Sequence, residues 1–193
     1  DGAGPIGELL ARAGQALPAL VRQTVSPLEV LFPSGDLSTA QALYGGGPLT
    51  AYYDRLLATL VDRQFQQADT IHILEVGAGT GSFTRGLLPD LETHHAGHYK
   101  YTFTDISPRF LRAAQQEFLP QSASFKTARY DLDRPAREQG INRSAPADLI
   151  VAGNVLHAVA DLKFTLSELH GLLAPRGALA LVELTTAPLW VLL

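Results

Sequence analysis

Apolar residues in the first third of the chain recur at helical spacing. Residues 6–31 carry an apolar position every three or four residues, which predicts a mostly helical segment that Gly14 and Pro18 interrupt. A short helix is predicted over 37–44, and a strongly amphipathic helix over 48–65. The N-terminal part of the chain is therefore predicted to be a helical subdomain.

Short apolar runs replace this pattern from residue 70 onward, and most of them are followed by a turn and then by a helical stripe. The predicted strands cover 71–76, 99–104, 124–130, 148–155 and 177–184, and the predicted helices cover 82–88, 108–118 and 161–173. Such alternation is typical of an α/β fold, a mostly parallel sheet with helices on both faces. We therefore divide the chain into a helical subdomain, 1–66, and a sheet-containing core, 67–193.

The composition excludes several classes of protein. Hydrophobic residues make up 46% of the 193 residues and charged residues 18%, so the chain can bury a core and is not a disordered linker. A formal net charge of −4 gives no electrostatic basis for binding nucleic acid or an anionic membrane, and no apolar run is long enough to span a bilayer. Without cysteine there is no disulfide, thiolate nucleophile or cysteine zinc site, and a reducing, cytoplasmic location is expected.

A glycine-rich turn follows the first predicted strand. Gly77, Gly79 and Gly81 lie before the next helix, where glycine lets the backbone approach a ligand at the carboxyl edge of a sheet. The dinucleotide fingerprint would have its third glycine at position 82, which is Ser82 in this chain, so the spacing disfavours a nicotinamide cofactor. The turn predicts a crevice for another nucleoside cofactor; the alternative is a strand-to-helix turn that binds no ligand.

Asp105 ends the second predicted strand and strengthens the prediction of a nucleoside site. A carboxylate at this place can accept hydrogen bonds from both ribose hydroxyls. Asp105 would otherwise cap the following helix, but Ser107, directly before Pro108, suits that role better. The ribose role is therefore preferred.

Four motifs of the core together resemble one family. They are Leu-Glu-Val-Gly-Ala-Gly-Thr-Gly-Ser-Phe-Thr at 74–84, Tyr-Thr-Phe-Thr-Asp-Ile-Ser-Pro at 101–108, Gly-Asn-Val-Leu-His-Ala at 153–158 and Leu-Val-Glu-Leu-Thr at 181–185. These motifs resemble methyltransferase domains embedded in polyketide synthases, and the segments 27–35 and 43–48 are similar to the helical lid of that family. The resemblance covers nearly the whole chain.

The resemblance implies a class I, Rossmann-like methyltransferase fold that uses S-adenosylmethionine. That fold usually has seven strands, with an antiparallel pair at the end, whereas the patterns predict five strands here. We therefore expect that the core is incomplete at its C-terminus. Without further strands the fifth strand would leave an uncovered sheet edge, which soluble proteins avoid. Either the chain is a fragment, or another segment covers that edge.

The resemblance also implies the substrate and the partners. Members of this family methylate polyketide intermediates bound to an acyl carrier protein, beside the other domains of the same megasynthase. The acceptor is either the α-carbon of a β-ketoacyl thioester, which we prefer, or a β-hydroxyl oxygen. A catalytically inactive structural domain is the third alternative. The lid of the family often has Ser-Pro and then Asn, where this chain has Gly47, Pro48 and Asp54, and this departure bears on the substrate.

His157 and Glu183 are the predicted catalytic pair. In the implied fold the fourth and fifth strands are neighbours, so their carboxyl ends bring the two side chains to the reactive end of the cofactor. A histidine is a suitable base near neutral pH, and a carboxylate on its other ring nitrogen would orient it. The resemblance assigns these positions the same roles. The alternative is a histidine at a helix start and an unrelated acid at a strand end.

Four further positions complete the predicted site. Glu75 is predicted to contact the methionyl amine of the cofactor through water, and Asn154 the methionyl end, while the resemblance places Asp131 where the family contacts adenine. The alternatives are that Glu75 closes its strand, Asp131 belongs to a turn and Asn154 caps a helix. Tyr44 is predicted to line the acyl pocket, although aromatic residues at helical spacing more often pack against other elements.

His94, His95 and His98 resemble a metal cluster in the sequence. Gly97 interrupts this polar stretch, and no carboxylate or cysteine is placed to complete a ligand shell. We interpret the three histidines as a solvated loop and predict no metal site.

Overall fold

The computed structural model of the protein describes residues 4–33, 48–65, 69–141 and 145–183. Its contacts divide the chain into two compact units, residues 1–50 with 184–193 and residues 51–183. The predicted helix at 37–44 lies outside the described residues, and so does Tyr44, whose role at the acyl pocket stays a prediction. None of the helices in the described ranges is long and apolar enough to cross a membrane.

Two helices, α1 (Gly4–Val21) and α2 (Pro27–Leu31), belong to the first unit. Leu9 of α1 and Val30 of α2 are buried. The guanidinium of Arg12 donates a hydrogen bond from Nη1 to the Val30 carbonyl at 3.3 Å. Apolar burial and this bond tie the two helices together.

The predicted interruptions at Gly14 and Pro18 are wrong, because α1 continues through both residues. A proline inside a helix removes one backbone hydrogen bond. Pro18 has no amide hydrogen to donate to the Gly14 carbonyl, and the helix continues for only three residues beyond it. The chain instead breaks after Val21, and Gln23 in the connection has a φ of 57°.

The predicted amphipathic helix is confirmed as α3 (Pro48–Phe65). Leu57 and Val61 of this helix are buried with the residues of the sheet. The division between the two units therefore falls at residue 50, earlier in the chain than the predicted boundary at residue 66. The predicted role of residues 1–66 as a helical lid stays a prediction.

The second unit contains a sheet of five parallel strands in the order β3-β2-β1-β4-β5. The strands are β1 (Ile71–Val76), β2 (Tyr99–Asp105), β3 (Phe125–Arg129), β4 (Ala147–Gly153) and β5 (Leu173–Val182). The helices that follow in the sequence are α4 (Ser82–His94), α5 (Pro108–Phe118) and α6 (Leu162–Leu172), with short 3-10 turns at Ala136–Gln139 and Leu156–Ala158. The predicted parallel α/β architecture is confirmed.

Helices pack on both faces of this sheet. Alternate side chains of β1 point to opposite faces, and Ile73 belongs to one hydrophobic cluster while Leu74 belongs to the other. The first cluster includes side chains of α3, α4 and α5, and the second includes Leu169 of α6. Strands buried on both faces have nearly continuous apolar sequences, which is why the sequence alone identifies them.

The end of α4 and the start of β5 differ most from the prediction. α4 continues past Pro89 to His94, and Leu91 in this extension is fully buried in the core. β5 begins at Leu173, ahead of an irregularity in its pairing with β4 where Arg176 has a φ of 68°. In α4 the burial of apolar surface by the last turn offsets the hydrogen bond that the proline removes.

Candidate functional site

A tight glycine loop, residues 77–81, joins β1 to α4. Gly77, Gly79 and Gly81 have φ values of 57°, 55° and 76°, in the left-handed region that glycine adopts without a steric cost. The Ala78 amide donates to the Thr104 carbonyl at 3.0 Å, and the Gly81 amide donates to the Ala78 carbonyl at 2.9 Å. The glycine loop is therefore fastened to the end of β2.

Two glycines of this loop have opposite surroundings. A Cβ atom built on Gly77 would lie 2.2 Å from Cγ2 of Val155, so the loop touches the segment after β4 there. A Cβ built on Gly79 would meet no described atom nearer than the Gly77 carbonyl oxygen, at 3.9 Å. The glycine loop is thus closed on one side and open at Gly79.

Asp105 lies at the end of β2, as predicted, and its carboxylate contacts the glycine loop. Its Oδ2 accepts a hydrogen bond from the Gly79 amide at 2.9 Å, and its Oδ1 accepts one from the Ser107 amide at 2.7 Å. Burial raises the pKa of Asp105, and these backbone donors act in the opposite direction. Each carboxylate oxygen has a second lone pair, so the predicted bonds to ribose hydroxyls remain available.

Glu75 is almost completely buried, on the face of β1 that carries Ile73. Its Oε2 accepts hydrogen bonds from the hydroxyl of Thr84 and, at 2.7 Å, from the hydroxyl of Tyr101. Burial raises the pKa of Glu75 to about 7, although both hydroxyl donors lower it. Glu75 therefore links β1 to α4 and β2, and its contact with a methionyl amine stays a prediction.

His157 and Glu183 lie together at the ends of β4 and β5. Nδ1 of His157 is 2.9 Å from Oε2 of Glu183. The other oxygen, Oε1, accepts hydrogen bonds from the backbone amides of Val155 at 2.9 Å and Leu156 at 2.7 Å. The histidine side chain is 59% exposed and the glutamate 24%. One carboxylate therefore orients both the imidazole and the 3-10 turn that carries it.

Asn154 and Asp131 also lie at this edge of the sheet. Asn154 has a φ of 53°, its amide donates to the Val182 carbonyl at 2.7 Å, and its Oδ1 is buried with no hydrogen-bond partner among the described residues. Asp131 follows β3 and accepts at Oδ1 from the Asp133 amide at 3.1 Å, while its own amide donates to Gln139 at 2.8 Å. The turn that was the alternative for Asp131 is present, and its contact with adenine stays a prediction.

A second anchor of the histidine segment was not predicted. Oδ1 of Asp133, in the turn after β3, accepts a hydrogen bond from the Ala160 amide at 2.7 Å. This bond joins two loops that are 27 residues apart in sequence. Polar residues in a turn give no sequence signal for such a partner.

The three clustered histidines make separate local contacts. His95 stacks on Phe65 with ring centroids 3.9 Å apart, and its Nε2 is 3.5 Å from Oδ1 of Asp62. Nδ1 of His98 is 3.1 Å from the Asp69 carbonyl oxygen. Within the ranges that the structure describes, no group of three or more histidine and acidic side chains is arranged to hold a metal ion.

Comparison with known proteins identifies the family of this sheet and loop. The model of a family described as methyltransferase domain matches residues 74–179. The reducing polyketide synthase Preu2 of Preussia isomera is 39% identical over 176 residues, which cover 91% of this chain and 7% of that protein. The chain therefore spans less than a tenth of the length of this relative.

Solved structures agree with this assignment. The CurJ carbon methyltransferase matches with a TM-score of 0.85 and 33% identity, over 97% of this chain and 49% of that one. The trans-methyltransferase CalH, in complex with SAH, matches with a TM-score of 0.77 and 29% identity, over 97% and 50% of the two chains. The resemblance drawn from the four motifs is thus confirmed, and the chain belongs to the methyltransferase domain family.

Proposed function

We propose that this chain is the methyltransferase domain of a polyketide synthase and methylates the α-carbon of a β-ketoacyl thioester, with S-adenosylmethionine as the methyl donor. The observation that carries the proposal is the hydrogen bond between His157 and Glu183 at the carboxyl edge of the sheet, on the segment that touches the glycine loop. Similarity to a carbon methyltransferase supports carbon as the acceptor.

The residues of the glycine loop and its neighbours fit the cofactor. Gly79 leaves open space where a side chain would stand, Asp105 keeps free lone pairs beside it, and Oδ1 of Asn154 is a buried acceptor without a partner among the described residues. Ribose hydroxyls are donors that suit the carboxylate of Asp105, and the methionyl amine is a donor that suits Oδ1 of Asn154. When bound, S-adenosylmethionine supplies a methyl group on a positively charged sulfur. Similarity to a methyltransferase in complex with SAH supports this cofactor.

Glu183 determines which nitrogen of His157 acts as the base. An ionised carboxylate only accepts hydrogen bonds, so Nδ1 must carry the proton that faces Oε2. The lone pair of the neutral ring is then on Nε2. The exposure of the side chain leaves Nε2 accessible to a substrate. When Nε2 takes a proton, the adjacent carboxylate stabilises the imidazolium that forms.

The acidity of the acceptor favours carbon over oxygen. A carbon between a ketone and a thioester carbonyl loses a proton to form a delocalised enolate, whereas an alcohol forms a localised and more basic alkoxide. An imidazole is a base of suitable strength for the first reaction. His157 would hold the abstracted proton at Nε2, which would leave the α-carbon as the nucleophile for the methyl group that the cofactor would supply.

The substrate and partners that follow are a polyketide intermediate on an acyl carrier protein and the other domains of the same synthase. Polyketide synthases among the relatives support this assignment. A cytoplasmic location remains a prediction from the cysteine-free sequence.

Labelled transfer tests the proposal. The chain is incubated with S-adenosylmethionine that carries a labelled methyl group, and with an acyl carrier protein bearing either a β-ketoacyl or a β-hydroxyacyl thioester. Mass spectrometry then locates the label. We expect label on the α-carbon of the β-keto substrate. Label on the β-oxygen would contradict the choice of carbon, and cofactor binding without transfer to either substrate would indicate an inactive structural domain.

A further inference from the structure

Arg85 of α4 joins three parts of the second unit. Its Nε donates to Oε1 of Glu117 at 2.7 Å and its Nη2 to Oε2 at 2.9 Å, so the guanidinium and the carboxylate at the end of α5 form a two-bond pair. The same Nη2 donates to the carbonyl oxygen of Thr80 at 3.2 Å. Thr80 belongs to the glycine loop, so Arg85 connects that loop to α5.

Phe118 adds an apolar contact to the same place. The guanidinium carbon of Arg85 is 5.6 Å from the centre of the Phe118 ring, a distance at which a cation is attracted to the face of an aromatic ring. Phe118 is buried, and a Cβ built on Gly81 would lie 2.8 Å from its Cε2. The ring therefore contacts the end of the glycine loop and the side chain that binds the loop.

These contacts fix one peptide group of the loop at both ends. The carbonyl of Thr80 and the amide of Gly81 belong to the same planar peptide group. Arg85 binds the carbonyl, and the Ala78 carbonyl accepts from the amide at 2.9 Å. The Gly79 amide is held separately by Asp105. The backbone groups on either side of the open position at Gly79 thus have fixed directions.

We propose that Arg85 is a positioning residue for the cofactor: with Glu117 it holds the Thr80 carbonyl and keeps the glycine loop in the conformation that binds the nucleoside. This inference rests on the proposed function, since it assigns the loop to S-adenosylmethionine. A loop that is ordered before binding loses less conformational freedom when the ligand arrives. Arg85 lies on a different segment from His157, so it should affect cofactor affinity and leave the reaction of the bound complex unchanged.

The test measures the affinity for S-adenosylmethionine, kcat at saturating cofactor and the melting temperature of four full-length chains: the unaltered chain, Arg85→Gln, Arg85→Glu with Glu117→Arg, and the control Arg112→Gln. Arg112 is an exposed arginine of α5. Arg85→Gln loses the fork that binds Glu117 and Thr80. We expect its Kd to rise about tenfold, which corresponds to about 1.4 kcal/mol, with kcat within about twofold of the unaltered chain.

The charge exchange separates loop positioning from helix attachment. The double variant restores an ion pair between α4 and α5 and should recover the melting temperature, but a glutamate at position 85 cannot donate to the Thr80 carbonyl. We expect its Kd to stay raised, and Arg112→Gln to bind normally.

An unchanged Kd in Arg85→Gln, or a normal Kd in the double variant, would overturn the inference and leave Arg85 as a purely structural residue. A fall in kcat that matches the loss of affinity would also overturn it. If the unaltered chain does not bind S-adenosylmethionine, the proposed function fails first and the inference fails with it.

Discussion

Nδ1 of His157 lies 2.9 Å from Oε2 of Glu183, and Oε1 of the same carboxylate accepts the backbone amides of Val155 and Leu156. The side chain at the end of β5 therefore determines the tautomer of the imidazole and the position of the turn that carries it. A substitution of Glu183 that keeps the backbone hydrogen bonds but changes the tautomer of the imidazole distinguishes these two roles.

Glu183→Gln should preserve the turn and disable the base. The amide oxygen can accept the two backbone hydrogen bonds, which leaves the amide nitrogen facing Nδ1 of His157. An amide nitrogen only donates, so Nδ1 must accept and the ring proton moves to Nε2. We expect kcat to fall by ~10²–10⁴ with an unchanged melting temperature and cofactor affinity.

The exposed Glu138 on the turn after β3 provides the matched control. Glu138→Gln makes the same chemical change away from the histidine, and its kcat should be normal. Normal turnover in Glu183→Gln would show that the tautomer set by Glu183 does not matter.

Gly79→Ala should block the cofactor without unfolding the chain. A Cβ at this position meets open space, so the change adds only the backbone strain of φ 55°, about 1–2 kcal/mol. The methyl group occupies space that we assign to the nucleoside, and calorimetric titration should show weakened binding. Gly97→Ala is the control, because Gly97 also has a positive φ, 79°, and open surroundings, but lies in the loop before β2. Equal affinity in the two variants would contradict the assignment of the glycine loop.

Glu75 should make the stability of the fold depend on pH. Burial raises its pKa from 4.5 to about 7 in the folded chain, so between these values the folded state holds a proton that the unfolded state releases. Its contribution to the free energy of unfolding is fully present below pH 4.5 and is lost as the pH rises through 7. Glu75→Gln has no ionisable side chain at position 75, so its free energy of unfolding does not include this decrease.

Melting curves at about pH 5.5 and about pH 8.5 test this expectation. The melting temperature of Glu75→Gln relative to the unaltered chain should rise from the lower to the higher pH, because only the unaltered chain must bury an ionised carboxylate at the higher pH. Glu138→Gln, an exposed change of the same kind, should show no such trend. A constant difference for Glu75→Gln would mean that Glu75 titrates normally.

Asp133→Ala should slow the reaction by releasing the second anchor of the histidine segment. Oδ1 of Asp133 holds the Ala160 amide at 2.7 Å, three residues beyond His157. Small displacements of a reacting group reduce rates strongly, and we expect kcat to fall about tenfold with unchanged cofactor affinity. Asp62→Ala removes an exposed carboxylate of α3 and serves as the control. Steady-state kinetics gives kcat for Asp133→Ala and for the control Asp62→Ala. A normal kcat in Asp133→Ala would show that Glu183 alone positions the turn.

Local patterns in the sequence were sufficient to predict the strands, and the family resemblance supplied the neighbouring positions of the fourth and fifth strands that bring His157 to Glu183. The glycine loop, Asp105, His157 and Glu183 each lie at the end of an apolar strand, and parallel strands bring such ends to one edge. The alternation of side chains along β1 also places Glu75 on the face of Ile73, a signal of its burial.

The remaining features depend on contacts between distant parts of the chain. Arg85 and Glu117 are 32 residues apart, and nothing in either helix sequence marks them as a pair. The path of α4 through Pro89 depends on the burial of Leu91, which is decided by the neighbouring elements. Sequence rules for proline take account of the one backbone hydrogen bond that it removes from a helix. They do not include the tertiary packing that offsets this loss.

The most direct test of the whole account is the turnover of His157→Ala on a carrier-bound β-ketoacyl thioester, measured beside its affinity for S-adenosylmethionine. His94→Ala, which removes an exposed histidine of α4, is the control. We predict that kcat for α-carbon methylation falls by ~10²–10⁴ in His157→Ala while cofactor affinity stays normal, and that His94→Ala keeps full activity. Near-normal methylation by His157→Ala would contradict the assignment of this histidine as the base.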